Sequence, residues 1–192
     1  MTAFVFLDVE TTGLDPTEDH ILEIAWQVTD EKLRVLSPAR SFIVDHVHDW
    51  GDVFASLLSN EVVRQMHQDS GLFDAMRQED GTPMDDILDQ LLMDIGRVEG
   101  PIHLAGFSVH FDRDFLSEAG WSALFNSDAL GVKIHHRLFD LSAVKIMLEV
   151  AGLPVPEVSN PRPHRAKFDV TESLEFALAL QDQLDFRIRG EN

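Results

Sequence analysis

Along the first forty residues the hydrophobic positions come in short runs rather than in helical stripes. Ala3 to Leu7 is apolar throughout, and Val9 continues the pattern between two carboxylates, so residues Ala3 to Glu10 read as a buried strand. His20 to Val28 reads as a second strand and Arg34 to Val44 as a third, with Thr12-Gly13-Leu14-Asp15-Pro16 as the first turn. Connections this hairpin-like predict an antiparallel start. The stretch from Asp45 to Gly81 is mixed, with a short helix from Asn60 to His67 under an asparagine cap. Met84, Ile87, Leu88, Leu91, Leu92 and Ile95 then repeat at helical spacing behind Thr82-Pro83, a cap followed by proline in the first turn. Ile102 to Phe107 reads as a buried strand, His110 to Ala119 as the helix after it, and Leu138-Phe139 as a last short strand. Asp140 caps a helix whose core face is Leu141, Val144, Leu148 and Ala151. Leu153 to Pro163 contains four prolines and is an irregular loop. A final helix from about Phe168 carries Val170, Leu174, Ala177, Leu178 and Gln181 on one stripe. The class is α/β, strands first.

At 192 residues the chain has length for one full core, and residues 1–192 read as a single domain without repeat or linker. Cysteine is absent, which removes disulfides and thiolate zinc sites and fits a reducing cytoplasm. The apolar start has no basic flank and runs directly into Asp8, so it is neither a signal peptide nor a membrane span, and no membrane partner is expected. A net charge of -19 argues against a protein that grips long duplexes. The basic residues of interest are Arg162, Arg165 and Lys167 around His164, and Arg113 after Asp112.

Candidate chemistry gathers at five positions. The strand period of two turns Asp8 and Glu10 to one face, Asp112 and Asp169 each open a helix, and His164 precedes Asp169 by five residues. Four hard oxygen donors from separate segments suit Mg²⁺ or Mn²⁺, and a histidine beside the fourth supplies a base that titrates near neutral pH. That combination implies two-metal phosphodiester hydrolysis. Bound cations invert the local field, which reconciles the acidic chain with a short or single-stranded substrate. Taken alone, each carboxylate reads as a cap or a solvated side chain. His46 and His48 alternate onto one face of a strand and could in principle be a metal pair, but no third partner is identified for them. Asp114 reads as a solvated helix residue, Asp140 as an N-cap, and Trp50 and Phe54 as core or interface residues rather than base-stacking platforms.

Asp8-x-Glu10-Thr-Thr-Gly-Leu, Gly106-x-Ser-x-x-Phe-Asp112 and His164-Arg-Ala-Lys-Phe-Asp169 together resemble the three motifs of the DEDDh family. These are the RNase H-like 3′→5′ exonucleases, among them DnaQ-like proofreading subunits and oligoribonuclease, and the resemblance runs from residue 3 to about residue 181. It implies a five-stranded mixed sheet flanked by helices, and two Mg²⁺ or Mn²⁺ ions per site. It also implies release of nucleoside 5′-monophosphates from short or single-stranded RNA or DNA. By the same resemblance Asp8 bridges the two ions, Glu10 and Asp169 complete the tighter site, Asp112 supports the second, and His164 deprotonates water. Thr11, Thr12 and Leu14 belong to the substrate side, with the turn backbone at the terminal sugar and Leu14 wedged against the last bases. Met66-His67 and Ser70-Gly71-Leu72 resemble an oligoribonuclease segment, which adds His67, and Ser108, Arg137 and Ser142 match its phosphate contacts. His136 stands where oligoribonuclease has a tyrosine donated across a homodimer to cap a dinucleotide. A homodimer is therefore an expectation, and longer strands should be accepted. A tryptophan of that enzyme is replaced by Val62. Two rival readings share the motifs: a proofreading or repair DNA exonuclease, which Asp8-Val-Glu-Thr-Thr resembles more closely, and a catalytically silent nucleic-acid-binding module. The intact carboxylate set with its histidine argues against the second.

Overall fold

Strand β1 (Ala3–Thr11) lies at the centre of the sheet, as its nearly unbroken burial requires. The computed structural model describes residues 2–126, 131–132 and 134–188. β2 (Ile21–Asp30) and β3 (Arg40–Ile43) continue the sheet on one side, β4 (Ile102–Gly106) and β5 (Phe139–Asp140) on the other, in the order β3-β2-β1-β4-β5. β1–β2 and β2–β3 are antiparallel; β1–β4 and β4–β5 are parallel. This is the five-stranded mixed sheet that the motifs implied.

Helices cover both faces. Ala3, Val5, Leu7 and Val9 join Ile24, Trp26 and Val28 of β2 beneath Ile87, Leu91 and Ile95 of α4 (Met84–Ile95). Phe6, Ala25 and Ala105 lie on the opposite face, under Leu141 and Leu148 of α7 (Leu141–Val150) and Val170, Leu174 and Ala177 of α8 (Ala166–Ile188). A satellite core seats Val53, Leu57 and Leu72 of α1 (Trp50–Ser59) and α3 (Leu72–Gln78) on Leu22 and Ile43. Between them runs α2 (Glu61–Ser70), capped by Asn60, whose side chain accepts the Val63 N–H, and ended by Gly71 in the left-handed region at φ 79°. After β4 comes α5 (His110–Leu116), which passes through a π-helical turn at Ser117–Trp121 into α6 (Ser122–Asn126). Among the described residues no helix is long and apolar enough to cross a membrane.

Several expectations need correction. The third strand is Arg40–Ile43 rather than residues 34–44: Pro38 has no N–H to give a ladder, and upstream only the bridge Thr29–Val35 forms. The mixed stretch holds three helices. In α1 the buried face is Val53 and Leu57, while Trp50 and Phe54, read as core or interface, are about half exposed. The helix after β4 stops at Leu116, where the π turn interrupts it, and not at Ala119. α8 starts at Ala166, and its buried stripe includes Ser173, Phe176 and Leu180 instead of the exposed Leu178; Ala151, assigned to the core face of α7, is exposed at that helix's end.

Candidate active site

The pleat that buries Phe6 under α8 carries on to Asp8 and Glu10, so both carboxylates meet the start of that helix. Asp169, in the first turn of α8, completes a trio whose ligand oxygens all lie within 4.8 Å of one another. Asp112 arrives by a different route. Pairing between β1 and β4 stops at Phe6–Ala105, leaving the Val9 N–H without a ladder partner on that edge, and it donates instead to Asp112 Oδ1 at 2.8 Å. The same bond anchors α5 to β1. Asn160, in the proline-rich loop, donates its amide to Asp169 and, at 2.8 Å, to Glu172.

Burial is severe for so much negative charge. Glu10 and Asp112 are 6% and 3% exposed. Loss of hydration, then repulsion from Asp112 and Glu10, pushes the Asp8 carboxyl well above the usual carboxylate range. Burial first, and Asp169 next, pushes Glu10 up to about 9. Asp112 is pushed up to about 7, again mainly by burial, against the opposing Val9 N–H. Asp169 is raised by burial too, partly offset by Asn160. Groups that resist ionisation together in this way are what a cation would relieve. Their donors are all carboxylate oxygens, with no cysteine in the chain, so the set fits a hard divalent metal.

His164 stands beside this trio in the left-handed region, at φ 62°, a conformation disfavoured for a residue with a side chain. What holds it there is Glu23. This side chain is 1% exposed on β2, opposite Glu10 in the register, and accepts two bonds from Arg165, both 3.1 Å, one from the Ala166 N–H at 3.0 Å and one from Ser41 Oγ at 3.0 Å. The chain on the C-terminal side of His164 is thereby fixed to the central sheet. Sequence reasoning missed Glu23, yet a signal exists: a lone carboxylate inside Ile21-Leu22-Glu23-Ile24-Ala25 needs a buried partner. The basic segment around His164 is correspondingly less available than its composition implied. Arg165 is turned inward to Glu23, Arg162 lies over the Phe168 ring at 5.7 Å, and Arg113 pairs with the exposed Asp114 at 3.0 Å.

The turn after β1 separates its residues into buried and exposed roles. Thr12 is fully buried, bonded to Asp19 and Ser56, while Thr11 Oγ1 donates to the Gly13 carbonyl at 2.6 Å. A side chain at Gly13 would collide with the Asp19 carboxylate, 2.2 Å from the position of a Cβ. Leu14 at the tip is 78% exposed, which rules out a buried turn residue. His67 is fully buried. Its Nε2–H donates to the Thr11 carbonyl at 2.7 Å, its Nδ1 has no bond and lies 3.8 Å from Glu10, and desolvation keeps the ring neutral. In this structure His67 supports the turn from beneath.

Ser108, at φ 53°, and Ser142 approach each other across the β4–β5 edge, hydroxyl to hydroxyl at 3.0 Å, and both backbone N–H groups bond Asp140 Oδ1. Asp140 caps α7, as expected. His136 and Arg137 are exposed; the His136 ring stacks on His135 at 4.2 Å, and His135 meets His103 at 4.7 Å. A cleft of about 820 Å³ opens beside His164 between the α2–α3 corner and residues 161–165. Its walls carry Asp69, Asp74 and Glu79, which repel phosphate, and none of the four site carboxylates lines it.

A mixed five-stranded sheet that gathers carboxylates at the end of its central strand defines an RNase H-like nuclease. The exonuclease family model RNase_T matches residues 5–176. The oligoribonuclease of Streptomyces avermitilis is 34% identical over 178 residues, covering 88% of this chain and 80% of the relative, and that of Rhodococcus jostii is 32% identical with 88% and 81% covered. Among solved structures, exonuclease I from Methylocaldum szegediense aligns with a TM-score of 0.64 at 16% identity, over 95% of this chain and 41% of that one. E. coli exonuclease I in complex with a dT13 oligonucleotide gives 0.61 at 17% identity, with 100% and 44% covered. The chain thus spans less than half of exonuclease I, and that likeness is one of fold. The chain belongs to the RNase_T exonuclease family, the DnaQ-like 3′→5′ exonucleases, hydrolases that require a divalent metal.

Proposed function

We propose that residues 1–192 act as one exonuclease domain that degrades short or single-stranded RNA or DNA from the 3′ end, releasing nucleoside 5′-monophosphates. The observation that carries this reading is the convergence of Asp8, Glu10 and Asp169 oxygens within 4.8 Å, beside a histidine held in a strained backbone conformation. Two Mg²⁺ or Mn²⁺ ions held by Asp8, Glu10, Asp112 and Asp169 would supply charge stabilisation to the in-line displacement. His164 accepts the proton of the attacking water on an imidazole nitrogen, with Glu23 and Arg165 fixing the loop that presents it. The Thr11–Thr12 backbone receives the terminal sugar, held in place by His67, Asp19 and Ser56 from behind. Exposed Leu14 stacks on the last bases, while the Ser108 and Ser142 hydroxyls and the Arg137 guanidinium take phosphates upstream. Raised carboxyl pKa values favour this active reading over a silent binding module, which has no need to concentrate buried charge.

Identity of about a third to oligoribonucleases favours short substrates over the proofreading alternative. His136 replaces a tyrosine cap with a shorter ring, so the preference should decline gradually with length. A homodimer is part of this reading and would cover the exposed apolar strip Ile146, Met147 and Val150 on α7; a cytoplasmic location is part of it too, and a composition without cysteine is compatible with that compartment. The test is hydrolysis of end-labelled RNA and DNA of two, three, five and ten nucleotides with each metal. A gradual decline in kcat/KM is expected; a dinucleotide preference above about tenfold over the trinucleotide, roughly 1.4 kcal/mol, would mean that His136 preserves a strict cap.

A further inference from the structure

Away from the carboxylates, a second set of ligand atoms converges where three segments meet. His20 just before β2, His46 just after β3, and Asp49 at the head of α1 each offer an atom within 4.8 Å of the others. Asp49 follows His46 closely in sequence, whereas His20 lies on the far side of β2 and β3, and His48 is not part of the set. Only the fold brings the three together.

The tautomer of His46 decides what this cluster is. Its Nε2 lies 2.7 Å from the Ile21 carbonyl, which can only accept, so Nε2 carries a proton and Nδ1 is the atom turned to the cluster. A histidine that spends one N–H on a backbone carbonyl and aims the other nitrogen at a carboxylate has the outer support that metal-ligating imidazoles have. Asp49 adds a second sign: it occupies the N-cap position of α1 yet makes no capping bond, its carboxylate being 3.1 Å from His46 Nδ1 and 3.8 Å from His20 Nδ1. Tetrahedral zinc, with ligands at about 2.0–2.2 Å, places neighbouring donors roughly 3.3 Å apart, and the two distances lie either side of that value. The His46 side chain is 8% exposed, so one ligand is already packed in place. Glu18 and Glu118 line the adjoining cleft of about 340 Å³ and add negative potential for a cation.

We propose that His20, His46 and Asp49 form a zinc site, separate from the catalytic ions and different in chemistry. Two imidazoles and one carboxylate select a borderline-soft transition ion over the hard cations suited to the all-oxygen trio. The fourth position faces the cleft, where water completes the shell. The ion ties together the start of β2, the end of β3 and the first turn of α1. His20 also exchanges backbone bonds with Thr12, its N–H donating to Thr12 Oγ1 at 3.0 Å and its carbonyl accepting the Thr12 N–H at 2.9 Å, so zinc there stiffens the turn that carries Leu14.

Equilibrium dialysis against Zn²⁺ in Mg²⁺-containing buffer tests this on the parent, His20→Gln and Asp49→Asn, with Mg²⁺-supported hydrolysis as the folding control. The parent should hold one zinc per chain more than either variant. In the parent, ¹⁵N spectra of the imidazoles should show both Nδ1 resonances shifting with zinc while His46 keeps its Nε2 proton. Equal zinc counts in the three proteins, or two imidazoles that zinc leaves unmoved, overturn the proposal.

Discussion

On one face of β1, Ala3, Val5, Leu7 and Val9 are sealed among Ile24, Trp26 and Leu91; on the other, Phe6 is followed by Asp8 and Glu10, ringed by Asp112, Asp169 and Glu23. Both faces belong to one strand with one register. The first lowers the free energy of folding by burying apolar surface. The second raises it, because Asp8, Glu10, Asp112 and Asp169 are each shifted toward the neutral form. A strand can tolerate that load only because its other side is packed without a polar interruption. Stability and chemistry are thus separated by a single residue step.

The largest effect is expected from Asp8→Asn, which takes a carboxylate from the acidic face. Loss of charge stabilisation worth several kcal/mol should cut the rate by ~10³-fold or more, while the metal-free protein melts no lower than the parent because repulsion is relieved. A variant cleaving within about tenfold of the parent would contradict the assignment. His164→Ala follows, with an expected loss of ~10²- to 10⁴-fold in kcat and little change in metal affinity, as measured by calorimetry. On the apolar face Leu7→Ala should act in the opposite sense, losing ~2–5 kcal/mol by denaturant titration with kcat at permissive temperature close to that of the parent. The smallest effect is expected from Glu23→Gln. Weaker bonds to Arg165 and Ala166 loosen the His164 loop, so kcat should fall by about tenfold, roughly 1.4 kcal/mol, with KM nearly unchanged.

How far the sequence carries depends on the kind of signal. β1, β4, α4 and the cap at Asp140 are legible because period, burial and turn residues agree over a whole element. The convergence of Asp8, Glu10, Asp112 and Asp169 is legible because the order of the acidic motifs along the chain is distinctive. Glu23, by contrast, is hidden. Its role depends on a partner at Arg165, 142 residues away, and only the pairing of β1 with β2 puts it behind Glu10. His67 and the Thr12 hydroxyl show the same limit from the other side, since both residue types fit side-chain contact with substrate while the fold buries them and bonds His67 Nε2 and Thr12 Oγ1 to the chain itself. The helix α1 escapes notice because two buried residues, Val53 and Leu57, are too few to set a period.

The claim that the acidic face is built for a divalent cation is tested most directly by melting the parent protein from pH 5 to pH 9, with and without Mn²⁺. Glu10 binds its proton more tightly folded, at about 9, than in its ordinary range near 4.5, and Asp112 likewise at about 7. Their folded state is therefore favoured at low pH, and metal-free stability should fall as pH rises through that window, when the unfolded chain has given up protons that the folded chain retains. Mn²⁺ replaces those protons, so its effect on Tm should be small near pH 5 and grow toward pH 9. A metal-free Tm that holds level or climbs across this range, with Mn²⁺ giving the same shift throughout, would contradict the account.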